Sequence, residues 1–283
     1  MDDTTSATQM NPQTFSPQIL SDRALIRVAG DGALPFLHNL LTAELSVPKP
    51  TYGALLTPQG KILHDVFVVP EGDTIWIDVA AMQGADLLKR LVMYRLRAKL
   101  EIELDDSKAV AVSSNGALPG LAYVDPRLAV MGKRAVVRYG SLPLVSGYHA
   151  ARLAVGLADS VQDIGSGQMF VHEANLDQLN GVSFTKGCYV GQEVVSRTHH
   201  RHTARNRILP VSFAGEVQHG SEITSGELRI GTMLSSLAGH GLALLRMDRL
   251  AEATAPLLTG TVKLSVHKPA WAAFEVTIPK IAR

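Results

Sequence analysis

After Arg205 the chain changes texture, and that change limits the possible folds more than any other feature. Short apolar runs such as "ILPVSF", "LRIGTML", "GLALLRM" and "LTGTVKLSV" follow one another, separated by Gly, Ser and Thr. Short strands with turn formers between them predict a small, closed β-barrel. Upstream the pattern is mixed. "RALIRVAG" (23–30) reads as a strand, and Asp31 caps a helix carrying Leu34, Leu37, Leu40 and Leu41 on one face. Two apolar runs flank Thr57-Pro58-Gln59-Gly60 and predict a hairpin, and "TIWIDVA" follows as a strand. Leu87, Leu88, Leu91 and Val92 recur at helical spacing between Met82 and Leu96, and "KLEIEL" returns as an alternating strand. A helix covering one face of a sheet makes this an α+β unit.

A second α+β segment carries strands at 109–113, 122–124 and 135–139, with helices near 149–156 and 173–179. The expected organisation is a flexible tail (1–16), a first α+β domain (17–105), a second (106–204) and the barrel (205–283). At 283 residues, 46% of them hydrophobic, the chain can bury a sizeable core. A net charge of +1 argues against a protein that coats nucleic acid or anionic membrane. No apolar run approaches the ~18 residues that span a bilayer. The polar, acidic N-terminus lacks the character of a secretory or transit peptide, so a cytoplasmic location is expected.

The chemistry gathers around one residue. Cys188 is the only cysteine, which excludes an intramolecular disulfide and any all-cysteine metal site within one chain. It lies in "TKGCYVGQE", where Gly187 and Gly191 permit tight turns and close approach of another molecule. Lys186, Arg197 and nearby histidines would make its surroundings electropositive and favour the thiolate. "RTHHRHTARNR" (197–207) holds four arginines and three histidines. It reads as a solvated basic loop, an anion clamp or an RNA contact, although it lacks aromatic residues for base stacking. Adjacent histidines at 199, 200 and 202 reproduce no standard metal-ligand spacing. Glu173, Asp177, Gln192 and Glu193 lie close in sequence, and such carboxylates and amides can hydrogen-bond the donor-rich edge of a pterin.

"KGCYVGQE" (186–193), preceded by "HEANLDQLNGVSF" and followed by "VSRTHHRHTARNRILPV", resembles the signature of the YgfZ family. "GALLTPQGKILHDVFVV", "YRLRAKLEI" and "DPRLAVMGKRAV" resemble further family blocks in the same order. The resemblance implies a fold like the glycine-cleavage T-protein, with two α+β domains and a C-terminal barrel around a central opening. It implies tetrahydrofolate or a related reduced folate as cofactor, held by Glu173, Gln192, Glu193, Asp65 and Tyr189, with Arg97 and Arg127 for the glutamate tail. It also implies assembly or repair of [4Fe–4S] clusters in client enzymes, including tRNA-modifying ones. Cys188 would be the functional thiol, with Lys186 beside it, able to ligate a transient, shared iron–sulfur cluster. A-type iron–sulfur carriers would be the partners. The alternative is a folate-dependent aminomethyl transferase, but such enzymes carry paired aspartates where this chain has His64-Asp65.

Overall fold

The computed structural model describes residues 14–144, 147–201 and 204–278. Beyond the two-residue strand β1 (Gln18–Ile19), five strands build the first sheet. They are β2 (Arg23–Ala29), β3 (Thr51–Leu56), β4 (Ile62–Glu71), β5 (Thr74–Ala80) and β6 (Glu101–Leu104), in the order β3-β4-β5-β2-β6. Two helices, α1 (Ala33–Leu40) and α2 (Ala81–Arg95), lie on one face. Leu37, Leu41, Leu87 and Leu91 pack there against Ile26, Val28, Val66, Val68 and Ile77. Because the other face is covered as well, β3 is buried at every position rather than at alternate ones. The cap before α1 is Gly32 in a left-handed conformation, not Asp31, and no side chain bonds the helix start. Val92, expected on the buried face of α2, is 40% exposed.

The second sheet has the order β1-β7-β9-β8, from β7 (Lys108–Ser113), β8 (Leu121–Val124) and β9 (Lys133–Arg138). Gln18 pairs with Val112 and Ile19 with Ala111, so the second unit takes its edge strand from the start of the chain. Of the expected tail, residues 1–13 lie outside the described residues, whereas Phe15 is buried and its carbonyl accepts a bond from the Ser114 amide. Helix α3 (Tyr148–Val155) stands where the periodicity puts it. The helix expected at 173–179 is instead a series of turns, with Asn175 and Asn180 at positive φ (59° and 58°), which an α-helix does not admit. Conversely, α4 (Gln192–Arg201) is a helix where the sequence suggests a basic loop.

Strands β10 (Asn206–Phe213), β11 (Glu222–Ser225), β12 (Leu228–Leu237), β13 (His240–Arg246), β14 (Leu257–Thr259) and β15 (Val262–Val266) close into a barrel, with β10 pairing to both β13 and β15. A short helix, α5 (Met247–Glu252), bridges β13 and β14. Barrel residues Ile208, Leu234 and Leu242 belong to the same core cluster as Phe67 of the first sheet, Val136 of the second and Leu153 of α3. One core cluster therefore spans all three units, beside the separate cores on the helix side of the first sheet and inside the barrel.

Candidate functional site

Cys188 is an exposed free thiol on a loop whose two ends are fixed by different parts of the first unit. Upstream, the segment 181–186 is stitched to the end of α1. The Thr42 hydroxyl donates to the Gly181 carbonyl at 2.5 Å, and the Ser183 amide donates to the Thr42 carbonyl at 2.9 Å. Lys186 completes the seam: its buried ammonium donates to the carbonyls of Leu41 (2.7 Å), Ala43 (3.0 Å) and His38. A helix leaves its last carbonyls without intrahelical partners, and a cation there also meets the negative end of the helix dipole. Burial pulls the Lys186 amine down to about 8. The same ammonium stands 5.3 Å from the Tyr189 ring. The Tyr189 hydroxyl is buried, with no hydrogen-bond partner among the described residues, and burial raises it to about 12.

Downstream, Gly191 has φ 83°, and a Cβ there would lie 2.6 Å from the Thr57 carbonyl oxygen and 3.0 Å from the Gly60 Cα. The tip of the β3–β4 hairpin thus touches the backbone that opens α4, and only glycine allows this approach. Gly187, by contrast, faces open space. The thiol is displayed between a lysine staple and a glycine contact. The electropositive setting expected from sequence is not built as expected. Lys186 turns its charge to three carbonyls, Arg197 pairs with Glu193 one helical turn away, and Arg207 is buried against Asp177 (2.7 and 3.0 Å). His199 stacks on Phe184 with ring centroids 3.7 Å apart, and His202 lies outside the described residues.

Four of the seven residues expected to hold folate, Asp65, Arg127, Glu173 and Glu193, already have protein partners. The Glu173 carboxylate accepts from the Asn206 side chain (2.7 Å) and the Phe170 amide (2.9 Å), tying the turn region to β10. Gln192 is half-buried and Glu193 exposed at the start of α4. Arg97 is exposed beyond the end of α2. Asp65 and Arg127 do border a common cavity, but it offers only about 20 Å³, room for about one water molecule. Asp65 accepts from the Tyr52 hydroxyl at 3.0 Å, and Arg127 is held by Asp125 and the Tyr148 hydroxyl. A pterin ring does not fit this arrangement. His64 points to the opposite face of β4, where its Nε2 meets Asp86 at 2.9 Å.

Sequence reasoning missed the buried ionic hub around that cavity. Asp78 accepts from Arg23 and Arg134, each at 2.5 Å, and Arg134 lies 3.9 Å from the Phe67 ring, which Arg127 approaches at 4.7 Å. The available signal was a charge inside each of two apolar strands, Asp78 in "TIWIDVA" and Arg134 in "KRAVV". Buried charges of this kind need partners.

Comparison with known proteins places the fold and the family. The crystal structure of the glycine cleavage system aminomethyltransferase T from Bartonella henselae superposes with a TM-score of 0.74 over 93% of this chain and 88% of that one, at 14% identity. Residues 205–274 match the family described as the CAF17 C-terminal beta-barrel domain. The human mitochondrial iron–sulfur cluster assembly factor IBA57 is 32% identical over 277 residues, covering 82% of this chain and 77% of the relative. The chain belongs to the IBA57 family. The mouse member shows the same identity and coverage, and the Neurospora crassa homologue is 34% identical over 228 residues, with 52% of its length matched. The IBA57 proteins found are mitochondrial, which overturns the cytoplasmic location expected from the N-terminus. The family's role is iron–sulfur cluster assembly, and its fold is that of the T-protein.

Proposed function

We propose that Cys188 is the working group of this assembly factor, supplying one thiolate to an iron–sulfur cluster held jointly with an A-type carrier on its way to [4Fe–4S] client enzymes. The step is a ligand exchange. The thiol proton leaves to solvent, an S–Fe bond forms, and a ligand on the same iron departs, with no oxidant or reductant consumed. Soft thiolates suit iron–sulfur ligation, and one per chain leaves the remaining ligands to a partner. Among the described residues no group of three or more His, Cys, Asp or Glu side chains stands close enough to hold a metal.

The exposure of Cys188 on a loop anchored at both ends carries this reading. Anchoring lowers the ordering cost when a second protein closes over the sulfur. No step of this reading runs through folate, and the cavity shared by Asp65 and Arg127 is too small for a pterin ring. The aminomethyl transferase alternative gains no support, because His64 is turned away from Asp65 and bound to Asp86. The test is complementation in cells that lack the endogenous factor. Cys188→Ser should fold normally yet fail to restore [4Fe–4S] enzyme activity; full restoration would overturn the thiol reading.

A further inference from the structure

Where the barrel meets the second unit lies a cavity of about 330 Å³. His172 and Asp177 from the turns, His199 from α4, and Arg207, Met247 and Phe274 from the barrel unit line it. Met247 and Phe274 pack against the barrel core, and Arg207 shares a face of β10 with the core residues Leu209 and Val211. The cavity is therefore the mouth of the barrel, roofed by the second unit. Barrel mouths and the joints between units are places where folds commonly hold small molecules, in cavities of about 300–1,000 Å³. Among the described residues none of the first unit lines it, so it is distinct from the small cavity beside Asp65 and Arg127.

His172 supplies the observation that points to a ligand. It is 3% exposed, and its Nε2 has no hydrogen-bond partner among the described residues. Folds seldom leave such an atom unpaired. Burial keeps this imidazole neutral, lowering it to about 4. Most other polar groups at the cavity are engaged. Arg207 donates to both oxygens of Asp177 (2.7 and 3.0 Å) and to the His172 carbonyl (2.7 Å), and its guanidinium carbon lies 4.4 Å from the centre of the Phe274 ring. The Gln178 side chain donates to Asp177 and accepts from the Ala273 amide, and the Thr198 hydroxyl donates to the Val194 carbonyl. Glu275, also lining the cavity, is exposed and makes no ion pair among the described residues.

What stays open to a ligand is one buried neutral nitrogen, walls of aromatic and thioether groups, and an unopposed carboxylate at the rim. From this arrangement we infer that the barrel mouth binds an uncharged aminopurine, a free base or nucleoside, with its amino-bearing edge on His172. That edge sets an amine donor beside a ring-nitrogen acceptor, so it can serve Nε2 in either imidazole tautomer. Flat bases also stack on aromatic side chains. A phosphate or a dicarboxylate tail is disfavoured, because Glu275 repels it and Asp177 already neutralises Arg207. The inference stands apart from the reading of Cys188.

Calorimetric titration of the full-length chain with adenosine is the test. The parent should bind saturably, and adenosine should raise its melting temperature. His172→Phe keeps a ring but removes the nitrogen, and should weaken binding about tenfold, the equivalent of one hydrogen bond. Ala273→Leu, at an exposed position on the cavity wall, narrows the space and should weaken binding at least as much. It decides the matter should His172→Phe fail to fold. AMP should bind the parent more weakly than adenosine does, and Glu275→Gln should narrow that gap. An absence of saturable adenosine binding by the parent, or parent affinity in both cavity variants, would overturn the inference. AMP binding more tightly than adenosine would overturn it too. So would tetrahydrofolate that displaces adenosine, binds more tightly and loses affinity in His172→Phe, since the mouth would then be a folate site.

Discussion

Replacing Lys186 by methionine is the sharpest test of how the thiol loop is held. Methionine keeps the apolar stem and its length but deletes the ammonium that joins the carbonyls of His38, Leu41 and Ala43. Hydrogen bonds to a charged donor contribute about 1.5–3 kcal/mol each, so three amount to about 4.5–9 kcal/mol. Burying the charge opposes them. The lowering of the amine from 10.5 to about 8 corresponds to roughly 3 kcal/mol against the charged form. The difference leaves Lys186→Met less stable by about 1–6 kcal/mol, or roughly 10 °C in melting temperature at the middle of that range for a chain of this size. Lys186→Arg should not restore it, because a planar guanidinium cannot direct one nitrogen at three converging carbonyls. Calorimetry reads the stability, and the alkylation rate of Cys188 by a small haloacetamide reads the loop, which should become more reactive once unpinned. If Lys186→Met melts within a degree or two of the parent and Cys188 reacts at the parent rate, the seam does not position the sulfur.

Three further outcomes are expected. Asp78→Ala strands the buried Arg23 and Arg134 guanidinium groups, and should cost about 3–5 kcal/mol by denaturant unfolding, whereas an exposed pair such as Arg197–Glu193 should cost under about 1. Gly191→Ala places a methyl 2.6 Å from the Thr57 carbonyl oxygen at φ 83°, so it should destabilise by about 2 kcal/mol or more and change Cys188 alkylation, while Gly187→Ala, with open space around it, should do neither. Burial lowers His172 from 6.5 to about 4, so between those values the unfolded chain binds a proton that the folded chain does not; stability should fall by up to about 3 kcal/mol as pH drops through this window, and His172→Phe should flatten the slope.

Most strands were legible as short apolar runs bounded by turn formers, because their sheets are covered on both faces and bury nearly every position. The barrel was readable for the same reason. Helix α4 was not, since Val195 is its one buried side chain and a run of His, Arg and Thr gives no apolar stripe. The turns at 170–180 mimic a helix in composition, yet two asparagines take left-handed conformations that no periodicity reports. Within the site, the glycines and the cysteine were visible because their chemistry is intrinsic. The role of Lys186 was hidden, because its acceptors are backbone carbonyls of residues whose side chains give no hint of it. The ionic hub was hidden by distance along the chain, with Arg23 and Asp78 separated by 55 residues and Asp78 and Arg134 by 56.

The seam between Lys186 and the end of α1 joins residues 143 to 148 positions apart. During synthesis the acceptors emerge long before the amine that will reach them, and the sulfur two residues later has no defined surroundings until both units have met. Placement of the thiol is thus among the last things this chain acquires. A half-made or misfolded copy carries the same cysteine but not its presentation: the exposed thiol is displayed between its two anchors only by a finished molecule.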